Sequence, residues 1–158
     1  MKAVSPIDFV AVNDALCRFF LSFDTRDWAL MTECLSSLVF IDYSSSGRED
    51  PSTMSGEDFV KRRENAVDNL AKHHSFSNLL LSYDQDEDSV SARCNYLILR
   101  FGESESLNIA GDNFFHSCGT YEFSLSRASN GWRISSIRQH ALKSWGNKSL
   151  HRGSRTAS

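Results

Sequence analysis

The stretch Phe23-Asp24-Thr25-Arg26-Asp27-Trp28, together with Ile41-Asp42-Tyr43-Ser44, decides how this chain of 158 residues folds. The first segment closes one helical pattern and opens a second, and the other segment closes the strand that comes next. A carboxylate and a phenol, Asp24 and Tyr43, therefore stand at the two ends of one short helix-to-strand unit. A carboxylate at the C-terminal end of a helix opposes the helix dipole, so we expect Asp24 to have a local partner or a function.

An N-terminal helix is predicted at the start of the chain. Ser5, Pro6 and Asp8 suit its N-cap, first and third positions because they satisfy or complement the free amide groups of a helix start. Apolar residues then recur at helical spacing, so one stripe should face a core as far as about residue 22. The stripe consists of Phe9, Val12, Leu16, Phe19, Phe20 and Phe23.

Two further helices and five strands are predicted after it. We expect a short helix over about 27–34, a strand over 38–43 and, after a polar loop, a helix capped by Ser55 that ends near residue 72. Every later segment predicts a strand, and these segments are 75–83, 89–101, 113–127 and 132–144. Helices first and long strands afterwards indicate an α+β domain with a mostly antiparallel sheet.

The composition is typical of one globular domain. Hydrophobic residues make up 41% and charged residues 23%, and we assign 1–150 to the domain and 151–158 to a flexible tail. A formal net charge of -3, with scattered lysine and arginine residues, argues against a nucleic-acid partner. The apolar runs are too short for a membrane helix, and acidic residues interrupt any signal-peptide core, so we expect a cytoplasmic protein without a membrane partner.

The cysteines give no sign of a disulfide framework or a metal site. Their wide spacing favours buried free thiols, and the histidines and cysteines form no recognised ligand pattern. The four residues are Cys17, Cys34, Cys94 and Cys118. We therefore expect neither a metal nor another cofactor.

These segments, in this order, resemble scytalone dehydratase and its relatives in the SnoaL-like, NTF2-like superfamily. The resemblance continues through Met54-Ser55-Gly56-Glu57-Asp58-Phe59-Val60, His73-His74, Gly131-Trp132-Arg133 and Ser144-Trp145-Gly146, and it covers nearly the whole chain. It implies an NTF2-like cone in which three N-terminal helices pack on a strongly curved sheet and enclose a cavity. It also implies cofactor-free acid/base chemistry and a homo-oligomer, either a dimer or a trimer.

His74 is the residue that we expect to act as general base. An imidazole with an ordinary pKa of about 6.5 can accept and return a proton near neutral pH, and the resemblance places the family's base here. His73 has the opposite strand parity, so only one of the two should face the cavity. The alternative for His74 is a stabilising cation near the end of the third helix. His116 and His140 are expected at the surface or at an interface.

The resemblance also implies catalytic roles for Asp24, Tyr43 and Arg100. In the family the aspartate orients a catalytic histidine, and the tyrosine helps to hold a water that polarises the substrate carbonyl. The alternatives are a turn residue for Asp24 and a core aromatic residue for Tyr43. Arg100 aligns with the family's second histidine; it cannot pass on a proton, but it could stabilise an enolate or form an ion pair with Asp24.

Several positions depart from the family pattern, so we expect a different substrate. Phe23 replaces a second tyrosine, Gly119 and Tyr121 replace a serine and an asparagine, and 147–150 replaces the phenylalanines that close the family's pocket. Strand alternation and the resemblance together predict an aromatic wall that binds a small hydrophobic or polycyclic molecule, with plain core packing as the alternative. The wall consists of Phe23, Tyr96, Phe115, Tyr121 and Phe123.

The predicted function is that of a cofactor-free lyase or isomerase, either a dehydratase or a cyclase, acting on a polyketide- or terpenoid-like intermediate of secondary metabolism. His74 would remove a proton next to a carbonyl, and Arg100 and the Tyr43 hydroxyl would stabilise the enolate. The alternative is a catalytically inactive ligand-binding or assembly domain that has kept the cavity, because a fold does not determine a function.

Overall fold

The computed structural model describes residues 1–103 and 113–151, and this part of the chain contains three α-helices and six strands. The helices are α1 Pro6–Thr25, α2 Trp28–Cys34 and α3 Gly56–Glu64. The strands are β1 Leu35–Asp42, β2 Ser52–Ser55, β3 Ala71–Tyr83, β4 Ser89–Phe101, β5 Phe115–Ala128 and β6 Gly131–Gly146. Short 3₁₀ turns cover Ser44–Ser46 and Lys148–Leu150.

The strands form one mixed sheet in the order β2-β1-β6-β5-β4-β3. Only the pair β1 and β6 is parallel among these neighbours, and each of the other pairs is antiparallel. All three helices precede β3, so the predicted α+β order and the mostly antiparallel sheet are confirmed. Among the helices of the described residues, none is long and apolar enough to cross a membrane.

The region between β1 and β3 differs from the prediction. The expected polar loop contains a 3₁₀ turn and β2, which pairs with β1. Helix α3 ends at Glu64 instead of near residue 72, and β3 begins at Ala71. Asn and Asp residues follow α3, and such side chains bond to their own backbone in place of the helix; Leu70 N–H donates to Asp68 Oδ1 at 3.1 Å.

Side chains alternate strictly between the two faces of β4 and β5. Cys94, Tyr96, Ile98 and Arg100 of β4 share the buried face. In β3, His74 points to the buried side and His73 to the exposed side. One β-bulge lies in β3 between Ser77 and Leu80, another lies in β6 at Leu142, opposite Cys118 and Gly119, and bulges of this kind bend a strand.

Helix α1 packs on the buried face of the sheet. Ser5 caps it by accepting a hydrogen bond from Asp8 N–H, as predicted. The buried residues recur at helical spacing, and they are Asp8, Val12, Ala15, Leu16, Phe19, Phe20 and Ser22. Phe9 was predicted to belong to this stripe, but it is 42% exposed.

The carboxylate of Asp8 ties the start of α1 to the ends of three strands. The Arg127 guanidinium donates two hydrogen bonds to it at 3.0 Å each, the Trp132 indole donates one at 3.2 Å, and the Tyr83 hydroxyl donates another. These donors, Arg127 foremost, hold the pKa of Asp8 well below its usual range. Asp8 is therefore the polar anchor of the helix as well as its third residue.

We expect Asp8→Ala to lower the melting temperature by several degrees, because Arg127, Tyr83 and Trp132 would lose their shared acceptor inside the protein. Thermal unfolding followed by circular dichroism measures the change. Asp14→Ala is the matched control, since Asp14 lies on the same helix in an exposed pair with Arg18 and should matter little. Equal melting temperatures for the two variants would show that the anchor does not stabilise the fold.

Candidate active site

A cavity of about 630 Å³ lies between the sheet and the helices. Its wall includes residues from α1, α2 and α3, from β3 to β6, and from the 3₁₀ turn after β1. Tyr43, His74 and Arg100 line it, and Asp24 lies behind His74 in hydrogen-bond contact. Four residues that are far apart in the sequence thus meet at one site.

Asp24 is held against His74 by three contacts. Its Oδ1 lies 2.5 Å from His74 Nδ1, and the backbone N–H of His74 donates to its two oxygens at 3.1 and 2.9 Å. An ionised carboxylate can only accept hydrogen bonds, so Nδ1 carries the proton and Nε2 keeps its lone pair. His74 is thus the local partner that Asp24 was predicted to need.

The imidazole of His74 is packed among aromatic rings. The Phe23 ring stacks on it with the two ring centres 5.1 Å apart, and the Phe20 ring lies nearly parallel to it at 6.1 Å. The side chain is only 7% exposed. Burial lowers the pKa of His74 more than the Asp24 carboxylate raises it, so the imidazole is neutral near pH 7.

Arg100 points into the cavity wall from β4 and is 5% exposed. Its Nη1 donates to Ser117 Oγ at 3.0 Å and approaches the Phe115 carbonyl oxygen at 3.4 Å. Asp24 is bound to His74 instead, so the predicted alternative of an ion pair between Arg100 and Asp24 is not observed. Burial lowers the pKa of Arg100 to about 10, which still leaves it charged.

Three phenols line the same cavity and remain protonated. Burial raises the pKa of Tyr96 to about 12, and it also raises the pKa of Tyr43 and of Tyr121 above the ordinary value. The Tyr121 hydroxyl accepts a hydrogen bond from Gln139 Nε2 at 2.8 Å. The cavity therefore presents hydroxyl donors that do not ionise near neutral pH.

Four of the five residues in the predicted aromatic wall line the cavity: they are Phe23, Tyr96, Phe115 and Tyr121. Phe123 was also predicted to belong to this wall, but it does not line the cavity. It is 2% exposed and packs against Phe19 and Phe20 of α1, with ring centres 6.1 and 6.0 Å away. Helix α1 covers this end of β5, so only residues beyond the reach of the helix face open space.

His151 was predicted to begin a flexible tail, but it lines the cavity. The 3₁₀ turn Lys148–Leu150 brings the chain back, and the His151 ring lies 4.9 Å from that of Phe115. Burial lowers the pKa of His151 to about 3. Asn147 is the residue in the sequence that could have indicated this turn, because its side chain caps the turn by accepting a hydrogen bond from Ser149 N–H. Residues 152–158 lie outside the described residues.

His116, His140 and the four cysteines do not line the cavity. His116 packs among Phe101, Phe114 and Trp145, and His140 forms an exposed pair with Glu122. All four cysteines are free; Cys34 and Cys94 are buried as predicted, whereas Cys17 is exposed and Cys118 is half-buried. Among the described residues no cluster of three or more His, Cys, Asp or Glu side chains could hold a metal ion.

An α+β domain that buries an aspartate-bound histidine in a cavity defines a recognisable class of protein. The chain belongs to the SnoaL-like domain family, whose family model matches residues 7–138. No curated protein matches the sequence.

Solved structures share this fold at low sequence identity. The Kfla4162 protein from Kribbella flavida has a TM-score of 0.81 and 19% identity, over 92% of this chain and 97% of that one. A candidate scytalone dehydratase from Novosphingobium aromaticivorans has a TM-score of 0.70 and 10% identity, over 88% and 87% of the two chains. A type 2 hexachlorocyclohexane dehydrochlorinase (LinA) has a TM-score of 0.69 and 16% identity, over 89% and 92%. Identities this low establish the fold and leave the reaction open.

We expect ¹⁵N NMR of the imidazole to show a neutral His74 at pH 7 with the proton on Nδ1, because only that nitrogen faces Asp24. Its titration should lie below the ordinary value of about 6.5, since burial disfavours the cation. His74→Gln assigns the signal. Asp24→Asn should lower the pKa further, because the carboxylate is the group that favours the cation.

The same pKa shift makes stability depend on pH. The folded pKa of His74 lies below the unfolded value of about 6.5, so the unfolded chain binds more protons in this window and stability falls as the pH drops below about 6.5. Urea unfolding at a series of pH values should show a smaller loss in His74→Gln than in the wild type. A His74 that titrates above 6.5 would contradict both expectations.

Proposed function

We propose that this protein is a cofactor-independent lyase or isomerase, a dehydratase or cyclase, in which His74 acts as general base. The observation that carries the proposal is the Asp24–His74 pair, which leaves Nε2 as the proton acceptor of a neutral imidazole. Family membership supports it, because the structural neighbours include proteins named for the elimination of water and of hydrogen chloride.

The reaction begins when His74 Nε2 takes a proton from the carbon next to a substrate carbonyl. The electron pair moves onto the carbonyl oxygen, where the Tyr43 hydroxyl donates a hydrogen bond and the charge of Arg100 stabilises the enolate. In a dehydration the enolate then expels a β-hydroxyl, which leaves as water with the proton that His74 returns. In a cyclisation the same enolate carbon attacks a second carbonyl carbon of the substrate, the π bond of that carbonyl breaks, and its oxygen takes the proton back from His74.

The aromatic side chains in the cavity wall support the proposal of a flat, hydrophobic substrate of the polyketide or terpenoid kind. Phe23 stacks on the base instead of supplying a second phenol, so its function is to hold the imidazole in place. Tyr96 and Tyr121 pack with ring centres 4.7 Å apart and widen the aromatic wall. We further propose that the protein forms homo-oligomers, as the resemblance implies.

The second candidate function is a ligand-binding domain that lacks catalysis. The observation that favours it is the replacement of family residues around the cavity, where Arg100, Gly119 and Tyr121 stand in place of groups that support the family's reaction. A binding domain would need the cavity but would make no use of the Nε2 lone pair. The two functions therefore differ in what happens to a substrate proton.

We expect the wild-type protein to convert 3-hydroxy-1-tetralone into 1-naphthol and water, a dehydration that needs only a base next to a ketone. His74→Ala should slow the formation of 1-naphthol by roughly 10²–10⁴-fold, the usual contribution of a positioned general base. Asp24→Asn should reduce this rate less than His74→Ala does, because asparagine keeps the shape of the side chain and part of its hydrogen bonding. Fluorescence of 1-naphthol measures the rate.

His73→Ala is the matched control, because His73 is adjacent in sequence but faces the other side of β3. Exchange of the α-hydrogen of 1-tetralone in D₂O, followed by NMR, detects enolate formation even when no leaving group is present. Wild-type protein that catalyses neither reaction favours the binding domain. Full activity in a folded His74→Ala variant would show that His74 is not the base.

A further inference from the structure

The cavity wall is strongly cationic in a chain whose net charge is -3. Seven of the lining side chains are lysine or arginine, and only two, Glu49 and Asp68, are acidic. Cations gathered in a confined site raise the local concentration of anions and favour anionic ligands. Composition alone gives no hint of this, because the basic residues are dispersed along the chain.

Most of these cations already have carboxylate partners. Glu49 binds Arg63 at 2.7 Å and Arg62 at 3.4 Å. Asp68 forms an ion pair with Lys72 and lies 4.0 Å from Arg26. The two acidic side chains are therefore shared among four cations, and neither is left over for another one.

Three of the seven cations, Arg48, Arg100 and the exposed Lys143, have no ion pair with any residue in the described ranges 1–103 and 113–151. Arg48 is exposed at the cavity wall, whereas Arg100 is buried and only 5% of its surface is exposed. A buried guanidinium without a counter-charge is costly, so its presence in the cavity wall points to a negative charge that arrives with the ligand.

The hydrogen bonds of Arg100 leave a suitable binding edge. Only Nη1 has protein partners, namely the Ser117 hydroxyl and the Phe115 carbonyl, while Nε and Nη2 have none among the described residues. These two nitrogens form the planar pair of donors that binds both oxygens of a carboxylate. One buried guanidinium also matches the single charge of a carboxylate.

A neighbouring polar group independently points to a polar ligand. Gln139 lines the cavity and bonds to Tyr121 through Nε2, but its Oε1 is buried and has no hydrogen-bond partner in the described part of the chain. An unsatisfied buried acceptor is unfavourable, and a ligand hydroxyl would satisfy it. The cavity thus has unused positions for a carboxylate and for a hydroxyl donor.

We propose that the substrate is a planar aromatic or polycyclic molecule that carries a carboxylate, and that Arg100 binds this carboxylate with Arg48 near the cavity mouth. The inference rests on the proposed function, and it names the class of substrate for that site. Arg100 then holds the ligand by its carboxylate and acts on the enolate only as part of the net positive charge of the wall, while the phenols of Tyr43, Tyr96 and Tyr121 donate hydrogen bonds to the enolate oxygen. The neutral ring of His151 lies tilted against Phe115, with the two ring centres 4.9 Å apart.

The test compares 1-naphthoate with its neutral analogue 1-naphthamide by isothermal titration calorimetry. The wild type should bind the carboxylate at least about tenfold more tightly, because each charge-assisted pair of hydrogen bonds is roughly twice as strong as a neutral one. Arg100→Gln should remove this preference. Arg62→Gln is the control, since Arg62 lies on the same wall but is paired with Glu49 and largely exposed, and it should retain the preference.

Further variants separate this inference from loss of folding and from the proposed function. Arg48→Gln removes an exposed charge, so it should fold normally and reduce the preference, even if Arg100→Gln proves unstable. His74→Ala should still prefer 1-naphthoate, so a failed base hypothesis would leave this result intact. Equal affinities of the wild type for the two probes, no binding of 1-naphthoate at millimolar concentration, or an undiminished preference in folded Arg100→Gln would overturn the inference.

Discussion

Helix α1 is held across the sheet by one aspartate at each end, and the cavity exists because of this arrangement. Asp8 binds donors from β3, β5 and β6, and Asp24 binds the side chain and the backbone of His74 in β3. Between these two anchors the aromatic face of the helix fills the space over part of the sheet. The remaining part stays open, and the base lies at the border between the filled and open regions.

Burial shifts the pKa values of the histidines and of the tyrosines in the cavity in opposite directions. Both shifts favour the neutral form of the side chain. Burial lowers the pKa of His74 and of His151, and it raises the pKa of the phenols, so these groups are neutral near pH 7. A guanidinium is too basic to become neutral at the same depth. Arg100 is therefore the one deeply buried group among them that must stay charged, and this contrast gives the site its polarity.

Much of the fold could be predicted because its signals are local. Helical spacing indicated α1, and alternation grouped Arg100 with Cys94, Tyr96 and Ile98 on one face of β4, whereas the resemblance indicated that this face is inward. The early end of α3 was missed because backbone-bonding Asn and Asp side chains outweigh a helical pattern over a few residues. Phe123 and His151 were misplaced for a different reason: whether a residue faces a cavity depends on where a distant helix or turn lies. The pairing of Asp24 with His74 could be expected only through family resemblance, since the two residues are 50 positions apart.

The anchor at Asp8 also has a consequence for how the chain folds. Its partners Arg127 and Trp132 lie 119 and 124 residues further along the sequence, whereas the partner of Asp24 lies only 50 residues away. A growing chain can therefore close the Asp24 end soon after β3 has formed, while the other end waits for β5 and β6. Contacts between such distant residues slow folding, and the apolar stripe of α1 stays uncovered during this delay.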